Sequence, residues 1–322
     1  MNEIKFAVTA WRLDEPSLAG ELARQAEIAE ALGFHSFWLP ESHFGDAHSI
    51  PSPLMLLAAV AARTRQIKLG STSYLLPIRH PLQAAEEVAV LDRLSGGRVI
   101  LGVGRGVQDA MFHAFNVATK DKRKMFKTNL EIMINAWCGA PVAYLPESQE
   151  PVTLAPLPMQ HPHPPIWIAA FGPLAIKQAG SLGLPYLASP IEPLGKLVKN
   201  YERHTAFANE AGHESINVVP IMRTLYVSNN RFDTKKIRQA LAVRIPHAML
   251  DEGAEVEDWA IIGDTAYVRD KLAEYAERLG MTHLIARGRI PGVNDNQQVK
   301  SLEVLAHIAS DLSADGYTSQ QF

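Results

Sequence analysis

Leu32-Gly33-Phe34-His35-Ser36-Phe37-Trp38-Leu39-Pro40 is the stretch that decides the fold. Upstream of it, Leu18, Leu22, Ala26, Ala29 and Leu32 recur at helical spacing, with Ser17 placed to cap them. Glycine tolerates the left-handed conformation that closes a helix, so Leu32-Gly33 predicts a helix end, with a strand over residues 35–40 after a short loop. The same device returns at Leu182-Gly183 before residues 184–189 and at Leu279-Gly280 before residues 283–286. Gly96-Gly97 before residues 98–103 is a variant of it.

Working outward, strands are expected at residues 4–9, 35–40, 67–74, 98–103, 166–170, 184–189, 217–227 and 283–286. Helices are expected between them, at 17–32, 53–63, 81–94, 122–137, 173–182, 194–211, 233–249 and 264–279, with 297–312 closing the chain. Such alternation means a parallel sheet, because parallel neighbours need a helical crossover. Runs such as Val99-Ile100-Leu101 and Ile166-Trp167-Ile168 are apolar at every position, as strands buried on both faces require. Eight strand–helix repeats point to an α/β fold of the (β/α)8 TIM-barrel type. The Pro-rich stretch 139–165 reads as an insertion before strand five rather than a linker, since the alternation resumes unchanged after it. Residues 1–322 are therefore expected to form a single barrel domain, with its chemistry at the C-terminal ends of the strands.

Composition narrows the function classes. The chain has 322 residues, 47% of them hydrophobic and 20% charged, which excludes a disordered or collagen-like protein. Its one cysteine, Cys138, excludes a disulfide framework and a Cys-rich metal site. A net charge of −3 leaves no basic excess for nucleic acid or an anionic membrane. The longest apolar run, residues 54–62, is far short of the roughly 20 needed to span a bilayer. The start, Met1-Asn2-Glu3-Ile4-Lys5, lacks the order of a signal peptide, so a cytoplasmic location is expected.

Three strand ends carry candidate chemistry. Strand two runs into Pro40-Glu41-Ser42-His43-Phe44 and then Gly45-Asp46-Ala47-His48, which gathers a carboxylate, a hydroxyl and two imidazoles. The alternative there is a polar loop start in which His43 is satisfied by a backbone carbonyl. Strand three ends in Gly70-Ser71-Thr72-Ser73-Tyr74, whose small residues permit close approach of a flat ligand or simply face the barrel interior. Strand four runs into Gly102-Val103-Gly104-Arg105-Gly106, where glycines let the backbone approach a ligand and Arg105 offers a planar fork for phosphate. A dinucleotide fingerprint fails there, because its third glycine falls on Val107. His161-Pro162-His163 has the look of a metal pair but precedes strand five, away from the usual site, so no metal is expected.

With these stretches placed, the chain resembles the bacterial-luciferase-like, flavin-dependent monooxygenases. The resemblance is carried by residues 33–38 leading to Glu41-Ser42-His43-Phe44, by Leu76-Pro77 with His80-Pro81, and by Leu91-Asp92-Arg93-Leu94-Ser95-Gly96-Gly97-Arg98. Gly102 to Gly106, Pro165-Ile166-Trp167-Ile168-Ala169-Ala170, Leu182-Gly183-Leu184-Pro185, Gly263-Asp264-Thr265 and Ser301-Leu302 follow in order. It implies a (β/α)8 barrel using reduced FMN and oxygen, supplied by a separate flavin reductase and acting on a small organic substrate as a homodimer through helices 53–63 and 81–94. By matching positions it implies His43 and Ser42 as catalytic residues. Thr72 and Ser73, joined by a cis peptide, would lie against the flavin ring. Arg105, Gly106, Val107 and Arg123 would hold the phosphate, with backbone amides from Phe171 and Gly172, and Ser189 would lie near the ring. Ser42 stands where luciferase has a catalytic histidine, Pro190 where it has a tryptophan, and Phe171-Gly172 where it has Glu-Ser. The expectation is flavin chemistry without light emission. A deazaflavin-dependent hydride transfer and a non-catalytic flavin-binding protein are the alternatives.

Overall fold

The repeated Leu-Gly device works as the chain chemistry demands: Gly33, Gly183 and Gly280 take φ of 81°, 66° and 64°, in the left-handed region. The computed structural model describes residues 3–13, 18–44, 48–244 and 253–318. Ser17, the expected cap, and Gly45, Asp46 and Ala47 lie outside the described residues, as do 245–249 of the helix expected at 233–249.

The strands are β1 Lys5–Thr9, β2 Ser36–Leu39, β3 Lys68–Ser71, β4 Tyr74–Leu75, β5 Val99–Gly104, β6 Pro141–Tyr144, β7 Pro151–Thr153, β8 Ile166–Ala169, β9 Tyr186–Leu187, β10 Pro220–Val227, β11 Ala260–Gly263 and β12 His283–Arg287. The helices are α1 Leu18–Ala31, α2 Pro53–Arg63, α3 Pro81–Ser95, α4 Asp109–Ala114, α5 Lys122–Trp137, α6 Pro173–Ser181, α7 Leu194–Glu210, α8 Arg231–Arg244, α9 Val256–Trp259, α10 Thr265–Leu279 and α11 Asp295–Thr318. Each of the eight expected strands has its counterpart, the third being divided into β3 and β4 around Thr72–Ser73. The 139–165 stretch, read as an insertion, folds its first half into an antiparallel hairpin of β6 and β7. β11 is a strand that periodicity did not announce, because it follows the short helix α9 with no turn signal between them.

Backbone packing divides the chain into two compact units, residues 1–37 with 170–322 and residues 38–169. In the first, β11, β10, β12 and β1 lie side by side, all parallel, with Phe6 opposite Leu284 and Thr224 opposite both Ala260 and Arg287. Asp264 caps α10, its Oδ1 accepting from Tyr267 N at 2.9 Å.

In the second unit β3, β5 and β8 are parallel neighbours and β4 extends the pairing with β5. Trp38 and Trp167 stack at 4.9 Å, and a Cβ on Gly70 would come within 2.1 Å of the Trp38 ring, so only glycine leaves it room. The Leu91–Arg98 motif is structural. Buried Arg98 donates to the carbonyls of Ala61, Thr64, Ile67 and Ser95, tying the ends of α2 and α3 to β3. Asp92 accepts from Met159 N, Gln160 N and Gln160 Nε2 at 2.7–2.8 Å and so fastens the insertion to α3. Along α2, one of the helices expected at a dimer contact, Ala61 is buried within this unit, Ala58 and Ala59 are half-buried, and Ala62 is exposed.

Candidate functional site

At the end of β2 the chain places a carboxylate where water cannot reach it. The Glu41 side chain is 0% exposed and its charge is met three times. Its Oε1 takes His43 Nε2 at 2.7 Å and Arg79 Nη1 at 2.7 Å, and its Oε2 takes Leu75 N at 3.0 Å. His43 is thus satisfied by a carboxylate rather than by the backbone carbonyl of the alternative reading. Arg79 also donates to Leu75 O at 2.8 Å, and its guanidinium lies 4.0 Å from the Tyr74 ring centre. Ser42 closes the loop: its N–H donates to Ile50 O and its Oγ accepts from Ile50 N at 3.0 Å. His43, Phe44 and Phe115 form a ring cluster with centroids 5.1–5.8 Å apart. Together with Tyr74, Arg79 and Glu87, these rings line a cavity of about 510 Å³.

The Thr72–Ser73 peptide is cis, as the resemblance implied, and both residues are half-buried. Ser73 fits against β5 only because residue 104 is glycine, since a Cβ there would come within 2.0 Å of Ser73 Oγ. Arg105 follows directly. It is half-buried, and burial first, then the neighbouring Arg123 charge, push its guanidinium below the ordinary arginine value. Among the described residues no carboxylate pairs with Arg105, and Glu41 is taken by Arg79 and His43. Arg123 stands exposed in the first turn of α5. Gly106 has φ of 75° and packs over Met111 and Phe112, while Val107 is exposed. Two guanidinium groups beside a glycine-opened turn suit a phosphate-bearing flavin.

Phe171, Gly172 and Ser189 belong to the first unit. Gly172, with φ of 81°, caps the N-terminus of α6, where Pro173 brings no N–H and the Ala175 and Ile176 amides donate to the Gly172 carbonyl. Phe171 is exposed, with Lys196 Nζ 5.7 Å from its ring centre. Ser189 is half-buried and rests on charges that the sequence reading missed. Its N–H donates to Glu192 Oε2 at 3.1 Å, and its carbonyl accepts from Arg223 Nη1 at 3.3 Å. Glu192 also accepts from Tyr186 Oη and Asn200 Nδ2, and burial pushes its carboxyl above the ordinary value against the lowering effect of the Tyr186 and Ser189 bonds. Arg223 is 0% exposed and donates to Pro190 O, Met222 O, Glu192 O and Tyr275 Oη. The available signal was a lone arginine inside the apolar run Pro220-Ile221-Met222-Arg223-Thr224-Leu225. His163, half of the histidine pair before β8, meets the Pro164 carbonyl at 2.8 Å, and His161 is exposed.

Comparison with known proteins gives the family and the fold. The family model described as luciferase-like monooxygenase matches residues 4–244. The chain is 29% identical over 298 residues to the uncharacterised protein y4wF of Sinorhizobium fredii, covering 85% of this chain and 86% of that protein. It is 26% identical to the oxygenase component of the flavin-dependent trigonelline monooxygenase of Acinetobacter baylyi, over 69% of this chain and 62% of that one. Among solved structures it is similar to the oxygenating constituent of 3,6-diketocamphane monooxygenase of Pseudomonas putida in complex with FMN, with a TM-score of 0.79, 19% identity, and 95% and 97% of the two chains covered. It is also similar to the coenzyme F420-dependent tetrahydromethanopterin reductase of Methanopyrus kandleri, with a TM-score of 0.72, 22% identity, and 94% and 97% covered. The two structural likenesses extend over nearly the whole chain and show the α/β barrel fold expected from the alternation of strands and helices.

Proposed function

The chain belongs to the luciferase-like monooxygenase family, and from that premise we propose that it is an FMN-dependent monooxygenase acting as one barrel domain. The observation that carries this reading is Arg105, half-buried beside Arg123 with no carboxylate partner among the described residues. A cation held in that way is stabilised by a bound dianion, and the phosphate of FMN supplies one. Gly106 and Val107 would offer backbone to the same group, and Phe171-Gly172 the amides at the head of α6. Thr72, Ser73 and Ser189 would lie against the ring. Bound reduced flavin supplies the electrons that activate oxygen. His43 would hold or release the proton, and Ser42 would keep the loop that carries it closed onto Ile50. The cavity edged by Phe44, Tyr74 and Phe115 would admit a small organic substrate.

The reductase is a separate protein in this reading, in keeping with the relative described as an oxygenase component. The enzyme is a cytoplasmic homodimer that engages neither nucleic acid nor membrane. Exposed Met55 on α2 and exposed Val90 and Leu94 on α3 favour the dimer contact there, and a monomer mass in light scattering at micromolar protein would count against it. Among the described residues no helix is long and apolar enough to cross a membrane.

A second reading keeps the barrel and replaces FMN by a deazaflavin for hydride transfer, favoured by the likeness to an F420-dependent reductase. Titration with FMN and with deazaflavin, followed by oxygen uptake in the presence of chemically reduced flavin and a library of organic compounds, separates the two. Tight FMN binding with compound-stimulated uptake supports the monooxygenase. Deazaflavin preference without uptake overturns it, and FMN binding with no uptake for any compound marks a carrier.

A further inference from the structure

We infer that Glu41 and Arg79 are positioning residues that fix the His43 imidazole with its proton on Nε2 and leave Nδ1 as the proton acceptor. This rests on the reading of His43 as the proton-handling residue of the flavin site. The geometry is confined to the second unit and involves three side chains. An ionised carboxylate can only accept, so the 2.7 Å contact from His43 Nε2 to Glu41 Oε1 puts the ring proton on Nε2. With the single proton of a neutral imidazole on Nε2, the free lone pair falls on Nδ1, and among the described residues nothing bonds to that nitrogen.

The carboxylate is itself held. Leu75 N directs Oε2 and Arg79 directs Oε1, so the carboxylate plane is set from two sides and the imidazole follows it. Arg79 in turn is held by the Leu75 carbonyl and the Tyr74 ring, and the Tyr74 hydroxyl donates to Glu87 at 2.7 Å. Phe115 meets His43 edge to face at 5.1 Å, which removes the remaining freedom of rotation. A base oriented by a third, charged group is the arrangement that proton transfer needs, because a ring free to flip presents the wrong nitrogen half the time. Arg79 supplies the countercharge that a carboxylate with 0% exposure needs.

The test is nitrogen-resolved NMR of ¹⁵N-histidine-labelled full-length protein, with the His43 signals assigned by their loss in His43→Gln. The expected spectrum has a protonated Nε2 whose hydrogen exchanges slowly, and an unprotonated Nδ1. Glu41→Gln offers one acceptor lobe to two donor directions, Leu75 N on one side and Arg79 with His43 on the other. It is expected to speed exchange of the His43 proton by about 10-fold or more and to average the two nitrogens, the loss of a bond worth about 1.4 kcal/mol per decade. Arg79→Lys keeps the cation and is expected to retain the wild-type signature, whereas Arg79→Met is expected to lose it. A wild-type His43 protonated on Nδ1, or identical His43 signals in wild type and Glu41→Gln, would overturn the inference. The wild-type spectrum alone decides the tautomer, so a Glu41→Gln chain that fails to fold leaves the test intact. Fluorescence titration with FMN is run alongside. Absence of FMN binding by the wild type refutes the flavin reading and leaves the tautomer result standing, so the two failures are distinguishable.

Discussion

Replacing Arg105 by alanine removes a guanidinium that the apo protein holds under electrostatic penalty. Its pKa is lowered by burial and by Arg123, and among the described residues no carboxylate pairs with it. For a base, a lowered folded-state value means that the charged form is disfavoured by folding. Deleting the charge should therefore leave apo stability unchanged or slightly raised. The cost should appear only with a phosphate ligand: a hydrogen bond to a charged group contributes about 1.5–3 kcal/mol and a decade of affinity is about 1.4 kcal/mol, so FMN should weaken about 10- to 100-fold. Riboflavin, with no phosphate, should bind the variant and the wild type alike. Fluorescence-quenching titrations of both flavins, with thermal unfolding of the apo proteins, give the comparison. Raising the salt concentration should narrow the FMN difference, since Arg105 is only half-buried and its attraction for phosphate is partly screened. Equal losses for FMN and riboflavin together with a lowered melting temperature would refute the reasoning and make Arg105 a structural residue.

Further outcomes follow from the packing and the buried charges. Gly70→Ala drives a Cβ to within 2.1 Å of Trp38, a residue stacked on Trp167, and should cost about 1–3 kcal/mol or more in urea unfolding; a loss below about 0.5 kcal/mol would mean that the ring pair can move. His283 is held down to about 3, chiefly by burial and then by His35 and Lys5. Because the unfolded chain takes up this proton near pH 6.5 and the folded chain does not until about pH 3, stability should fall as pH drops through that window. The slope from this one group is at most about 1.4 kcal/mol per pH unit, and His283→Gln should flatten it in denaturant titrations; an unchanged slope counts against the assignment. Arg223→Met strips the Ser189, Pro190 and Glu192 carbonyls of a buried donor and removes one of the two cations, with Lys196, that act on Glu192. A loss of about 3–5 kcal/mol in equilibrium unfolding is expected, and one under about 1 kcal/mol would show that the network is dispensable.

The alternation of strands and helices, their parallel sense, and the closing of α1, α6 and α10 near Leu-Gly pairs were all determined by the sequence on its own. Those features depend on residues within a turn or two of one another, and hydrophobic period, cap and left-handed glycine are local properties. The cis Thr72–Ser73 bond was expected through the family resemblance, and the Arg105 turn was legible because glycines at a strand end mark where backbone must pass close to something else. Arg98 and Asp92 were visible as motif members, but their work of fastening α2, α3 and the insertion was not. Nor could spacing reveal that Arg79 answers Glu41, or that Arg223 and Glu192 brace Ser189. A charge on one element finds its partner on another only after the strands have been set in register, and a carboxylate in the sequence carries no sign of whether it will be solvated or enclosed. Tertiary structure alone decided that Glu41 is enclosed and that it is Nε2 of His43 that meets it.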